Sequence, residues 1–187
     1  MAHDITDRKF SILFDWFDHT GDGRLTRADF DQMAQVFAAV APEDDQENRT
    51  ALREAFTGWW DVLRDAGAAD PEERVSRQAF IDAMRTAVTR PENFERLIMN
   101  IVNALMRALD TDGSGTLSAD EYVRMYDALG ISPETSASAF RRLDRNGSGS
   151  IDHDEFRAAI GEFYLSADPD APGNWLLGSP LSADVTG

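Results

Sequence analysis

Apolar residues recur along this chain at the three- and four-residue spacing of one helical face, in stretches separated by short polar loops. Phe10, Leu13, Phe14 and Phe17 predict a helix over residues 4–17, and Phe30, Met33, Ala34 and Phe37 a second. After a polar connector at Pro42-Glu43-Asp44-Asp45-Gln46-Glu47, Leu52, Phe56, Trp59, Trp60 and Leu63 mark a helix from about Asn48 to Ala66. Phe80, Ala83, Met84 and Ala87 mark the next. Thr89-Arg90-Pro91-Glu92 carries turn and capping signals, so another helix is expected from about Asn93 to Leu109. Tyr122, Met125, Tyr126 and Leu129 follow, with Gly130 as a stop. Ser132-Pro133-Glu134 opens a helix reaching Leu143, and Phe156, Ala159, Ile160 and Phe163 close the series. The pattern is all-α.

The loops between these helices share one grammar. Asp110-Thr111-Asp112-Gly113-Ser114-Gly115-Thr116-Leu117-Ser118-Ala119-Asp120-Glu121 places oxygen-bearing side chains at its first, third and fifth positions. Gly115 at the sixth permits a sharp turn, and Glu121 at the twelfth can offer both carboxylate oxygens. A hard cation that takes six to eight oxygens needs this staggered supply, with the seventh-position carbonyl of Thr116 added. This is a calcium loop. Leu117, at the eighth position, should point inward and pair with a partner loop through a short strand.

Residues 18–29 repeat the pattern, with Asp18, Thr20 and Asp22 as the oxygen donors, Gly23 at the turn and Arg24 supplying a backbone carbonyl. The twelfth position is Asp29, one methylene shorter than glutamate. That predicts a smaller or wetter shell and better tolerance of magnesium, which prefers octahedral geometry. Residues 144–155 fill every constrained position again, and Asp152 at the ninth adds a carboxylate expected to act through water. Setting Val75 at the eighth position makes 68–79 a fourth copy of the frame. Its first, sixth and twelfth residues are Ala68, Glu73 and Ala79, Asp70 is the one surviving ligand, and Pro71 stiffens the turn. This loop keeps its helices and has lost the metal.

The chain has 187 residues, enough for one moderately large domain or two small lobes. Eighteen basic against 34 acidic residues leave a charge of −16, which argues against nucleic acid or an anionic membrane as partner. Three divalent ions, six charges, would bring that to −10 and relieve self-repulsion. There are no cysteines, hence no disulfides or thiolate sites. No secretory signal is visible and the longest apolar run, Val36 to Ala41, is too short to span a bilayer; a cytoplasmic monomer is expected.

Leu25, Val75, Leu117 and Ile151 are each followed five residues on by an aromatic: Phe30, Phe80, Tyr122 and Phe156. So regular a repeat predicts four EF-hands, paired one with two and three with four. Hands one and two occupy residues 1–90, three and four residues 91–165, and a tail 166–187. Its plug, Asn174-Trp175-Leu176-Leu177, should dock on the body rather than stay wet. An aspartate-ended first loop, a dead second hand, two working hands and the closing residues 168–178 together resemble the sarcoplasmic calcium-binding proteins and their bacterial calerythrin relatives. The resemblance implies two lobes packed face to face and a calcium buffer. By position it implies as ligands Asp18, Thr20, Asp22, Arg24 (carbonyl) and Asp29. Asp110, Asp112, Ser114, Thr116 (carbonyl) and Glu121 follow, then Asp144, Asn146, Ser148, Ser150 (carbonyl) and Glu155. Thr20 departs from the acid or amide usual at its position.

An enzyme reading finds no support: no cysteine, no G-x-S-x-G, and histidines only at His3, His19 and His153, the last two at non-ligand loop positions. The Met and aromatic stripe (Trp16, Trp59, Trp60, Phe94, Met99, Met106, Met125) reads as core. Its rival is a sensor that opens a groove and regulates a target protein. The short connector from Val88 to Phe94, containing a proline, favours the buffer. A chromophore-carrying relative would need polar side chains such as histidine facing a cavity, and the histidines are placed elsewhere.

Overall fold

The computed structural model describes residues 2–177, without the side chains of residues 2–4. The side chain of His3 and the end of the tail from residue 178 lie outside the described residues. Nine α-helices are described: α1 Ala2–Phe17, α2 Arg27–Val40, α3 Gln46–Asp65, α4 Arg77–Ala83, α5 Pro91–Asn93, α6 Asn100–Leu109, α7 Ala119–Ala128, α8 Pro133–Leu143 and α9 His153–Leu165. Four short strands lie between them: β1 Arg24–Leu25, β2 Val75–Ser76, β3 Thr116–Ser118 and β4 Ser150–Asp152. The expected run from Asn93 to Leu109 starts at Pro91 and is wound as a wide π turn over Phe94–Met99 before α6; α4 likewise ends in a π turn, Met84–Val88. Thr89 Oγ1, donating to the carbonyls of Met84 and Arg85, and Asn93 Nδ2, donating to Ala87, bind the loosened backbone there.

Pairing follows the eighth-position register. Leu25 faces Val75 across β1 and β2, and Leu117 faces Ile151 across β3 and β4, both antiparallel. All four side chains are fully buried. The fold is therefore that of four EF-hands in two pairs, and the second hand keeps the frame although its loop has diverged.

The chain forms two compact units, Phe10–Ala104, and the residues through Lys9 together with those from Leu105 on. In the first, Phe17 is the centre of an aromatic cluster, its ring 4.7 Å from Phe30, 5.3 Å from Trp59, 6.0 Å from Phe56 and 6.4 Å from Phe80. Phe17 immediately precedes the first loop and Phe30 immediately follows it, so this contact clamps the loop's two ends. Such ring pairs contribute about 0.5–1.5 kcal/mol each beyond the area they bury.

In the second unit Leu109, Tyr122, Leu143 and Phe156 stand at the corresponding places and are all buried. Lys9, the single lysine, is fully buried and donates to the carbonyls of Glu162 (3.0 Å) and Ser166 (2.8 Å), capping α9. Residues 172–175 form a 3₁₀ turn against α8 and α9, and Tyr126 Oη donates to the carbonyl of Leu176.

Tyr122, Tyr126 and Tyr164, all the tyrosines of the chain, are buried in this unit. Burial pushes the three phenols above their ordinary value, and repulsion by Tyr126 adds to it for Tyr122 and Tyr164. The folded state then keeps protons that the unfolded chain loses near pH 10, so the stabilisation is whole below about pH 10 and declines above it. Lys9, whose pKa burial lowers, acts in the opposite sense, one group against three. Denaturant melts across this range should show stability falling above about pH 10. Tyrosinate absorbance should appear only as the unit unfolds; its appearance near pH 10 in the intact fold would contradict this.

Candidate metal centres

Three of the loops, the first, third and fourth, are shaped by the aspartate at their start. Asp18 Oδ2 accepts the Gly23 N–H at 2.8 Å, Asp110 Oδ2 that of Gly115 at 2.8 Å, and Asp144 Oδ2 that of Gly149 at 2.9 Å. Aiming the sixth-position amide at this oxygen takes a positive φ, +76°, +78° and +86° in the three loops, which glycine adopts without a Cβ clash. The second loop puts Glu73 there at +56°, the one non-glycine residue with positive φ among those described.

The loops differ at their far end. In the third, Glu121 is buried and bridges the loop's two ends: Oε1 accepts the Thr111 N–H and hydroxyl at 3.0 Å each, while Oε2 accepts the Ser118 N–H at 2.9 Å. In the fourth, Glu155 Oε1 accepts the amides of Arg145 (2.9 Å) and Asn146 (3.1 Å), and Oε2 that of Asp152 (3.1 Å). Both glutamates are also the third residue of the exiting helix, in capping boxes with Ser118 and Asp152. Asp152, expected to act through water, uses Oδ1 to accept the Glu155 N–H at 2.8 Å. Asp29 in the first loop accepts only from Thr26, N–H at 2.8 Å and hydroxyl at 2.9 Å. Its carboxylate does not span to the loop's beginning, the consequence of the missing methylene.

The third loop draws carboxylate oxygens of Asp110, Asp112 and Glu121 within 4.8 Å of one another. No other trio of acids among the described residues meets so closely. The fourth has Asn146 where the third has Asp112, and in the first loop Asp29 stays with Thr26. Burial raises the pKa of Glu121, but the donors of Ser118 and Thr111 outweigh it and hold the carboxyl below its usual range. The Ser114 hydroxyl and amide do the same for Asp112. Both acids are thus kept ionised. Ser114 Oγ and Ser148 Oγ donate to the carbonyls of Thr116 (3.1 Å) and Ser150 (2.9 Å), bringing the fifth and seventh positions together. In the first loop Thr20 Oγ1 donates to Asp18 at 3.2 Å, and Asp22 accepts the Arg24 amide at 2.9 Å. The donor set is hard oxygen throughout, anionic and ordered on glycine turns. It fits calcium in the third and fourth loops, and calcium or a smaller ion in the first.

The second loop is filled by its own cation. Asp70 Oδ1 accepts the amides of Glu72 and Arg74 at 2.9 Å each, and the Arg74 guanidinium donates to Asp70 Oδ2 at 3.3 Å and pairs with Glu72. The Arg74 amide is the chief reason the Asp70 carboxyl lies below its usual range. Sequence reasoning overlooked Glu72, an acid at the fifth position, and the arginine two residues on that neutralises it. His19 and His153 are exposed; of the residues expected in the core, Trp59, Trp60, Phe94, Met99, Met106 and Met125 are buried, and Trp16 is only half-buried, against Phe37.

Oxygen-lined loops on paired helix–loop–helix units define a calcium-binding protein of the EF-hand class, and the EF hand family profile matches residues 102–126 and 137–160, the third and fourth hands. A sarcoplasmic calcium-binding protein of Perinereis vancaurica tetradentata is 34% identical over 178 residues, spanning 95% of this chain and 99% of the relative. Calerythrin of Saccharopolyspora erythraea is 29% identical over 167 residues, 88% of this chain and 94% of the relative. The chain belongs to the sarcoplasmic calcium-binding protein family. In fold it is similar to the photoprotein clytin (TM-score 0.74, 23% identity, 95% of each chain). It is also similar to a Streptomyces coelicolor calcium-binding protein described in the context of prokaryotic calcium-mediated regulation (TM-score 0.65, 26% identity, 87% of this chain and 99% of the other).

Glu121→Gln should lower the number of calcium ions bound by one, since a neutral amide has one carbonyl oxygen to offer and loses the charge. Asp70→Asn should leave the number unchanged. Equilibrium dialysis against calcium compares them, and equal losses would overturn the assignment of the second loop.

Proposed function

We propose that this protein binds three calcium ions reversibly, at loops 18–29, 110–121 and 144–155, and acts as a cytoplasmic calcium buffer without catalysing a reaction. The observation that carries the reading is the convergence of Asp110, Asp112 and Glu121 within 4.8 Å around a glycine turn; loops 18–29 and 144–155 repeat its opening aspartate and glycine turn. Ligands are Asp18, Thr20, Asp22, the Arg24 carbonyl and Asp29; Asp110, Asp112, Ser114, the Thr116 carbonyl and Glu121; Asp144, Asn146, Ser148, the Ser150 carbonyl and Glu155. Each ion neutralises clustered acids in a chain of charge −16, so binding and folding are coupled. Magnesium competes first at loop 18–29, where Asp29 does not span the loop and leaves room for water. Neither a second copy nor a protein target is required, and no described helix is long and apolar enough to cross a membrane.

The sensor reading remains the rival, favoured by one observation: the similar Streptomyces coelicolor protein is described in terms of calcium-mediated regulation. Titration calorimetry with calcium, repeated in millimolar magnesium, tests stoichiometry and selectivity together. Three sites are expected, with one weakened most by magnesium. Binding of an apolar dye should fall as calcium is added. A rise would mean that a groove opens, and the sensor reading would replace the buffer.

A further inference from the structure

The segment after α9 is seated more tightly than a trailing chain needs. A methyl group built on Gly173 would lie 2.2 Å from the carbonyl oxygen of Ala159 and 2.6 Å from Glu162 Cβ, so no larger residue fits that seat. Ala171, Asn174 and Leu176 are buried with it. Asn174 Nδ2 closes the segment on itself through the carbonyls of Asp168 (3.0 Å) and Pro169 (2.8 Å). The hands hold it from three sides. Tyr126 of α7 donates to the Leu176 carbonyl, the Arg142 guanidinium of α8 stands 3.8 Å over the Trp175 ring, and Glu162 Oε2 of α9 accepts the Gly173 N–H at 2.8 Å.

Glu162 has a second connection. Its Oε1 pairs with Arg145 Nη2 at 2.8 Å. Arg145 is the second residue of the fourth loop, and its own amide donates to Glu155 Oε1 at 2.9 Å. One arginine therefore joins the carboxylate that closes the fourth loop to the carboxylate that holds the tail. The capping of α9 by Lys9, at the carbonyls of Glu162 and Ser166, fixes the helix end on which this junction sits.

We infer that residues 168–177 are an intramolecular ligand of the third and fourth hands, and that the Arg145–Glu162 pair couples their seating to the ion at the fourth loop. The inference rests on the calcium reading of that loop given above. An ion held by Glu155 fixes the Arg145 backbone, which presents the guanidinium to Glu162 and keeps the acceptor for Gly173 in place. Linkage makes the effect mutual: a seated segment raises calcium affinity at the fourth loop, and calcium there keeps the segment seated. Release would uncover Trp175, Leu176 and the apolar surface beneath them, so the segment is a cover that the fourth loop controls.

The test compares the unaltered 187-residue chain with Gly173→Ala, which wedges the segment out without touching either loop. Arg145→Gln cuts the coupling on an exposed side chain and spares the packing, so the question stays answerable if the first variant folds poorly. Amide exchange at Gly173, Asn174 and Leu176 reads the seat, and chelator-induced calcium release reads the sites one by one. In Gly173→Ala these amides should exchange at least about tenfold faster, and the fourth loop should lose about fivefold or more in calcium affinity with the third unchanged. Arg145→Gln should change both readouts in the same direction. Fast exchange with unaltered affinity would overturn the coupling, and unaltered exchange in Gly173→Ala would overturn the seat. A wild-type fourth loop that binds no calcium would instead overturn the reading of the loop itself.

Discussion

A buried carboxylate that closes a loop is the constraint on which the third and fourth hands depend. Glu121 and Glu155 each reach from the first turn of an exiting helix back to the amides where the loop begins, tying two helices together through one side chain. Such a group is stable only with its charge answered, because an ionised carboxylate taken out of water costs several kcal/mol unless paired or hydrogen-bonded. Backbone and hydroxyl donors answer part of it. The neighbouring aspartates add negative charge to the same small volume, and a divalent cation is the partner that resolves all of them at once. Fold and ion binding thus draw on the same oxygens.

The second hand shows what remains when the ion is removed from that logic. Its strand still pairs with that of the first hand, Val75 against Leu25, and Phe80 still joins the cluster around Phe17. Its loop instead holds the Arg74 guanidinium between Asp70 and Glu72, a fixed internal cation. The hand therefore supports the first hand through its strand and its aromatic contacts. The first loop lies between these cases: Asp18 and Gly23 keep the start of the loop in register, while Asp29 is confined to its own helix cap.

Much of this was legible in the chain because the chemistry is local. An aspartate, a glycine at the sixth position and a glutamate at the twelfth specify a turn and its donors within twelve residues, and the eighth-position apolar residues set which loops pair. Helix periodicity placed the aromatic faces for the same reason. What escaped depends on contacts between residues far apart in sequence. Lys9 reads in the chain as one more basic residue beside Arg8, and its burial on α9 follows only once Glu162, 153 positions on, has folded against it. The same holds for Arg145, Glu162 and Gly173. The π turns at 84–88 and 94–99 were missed because their apolar spacing is still near-helical; proline and Thr89 alter the hydrogen bonding without altering the pattern. Arg74 stands at a position whose ligand in this loop pattern is a backbone carbonyl, so the pattern gives no sign of its side chain's role.

The central claim is that oxygen donors are gathered at three of four loops for one kind of ion. Crystals grown in excess calcium, measured for anomalous scattering from that ion, test it most directly. The account predicts a peak inside each of the loops 18–29, 110–121 and 144–155, and none at 68–79. A peak beside Asp70, or bare density between Asp110 and Glu121, would contradict it.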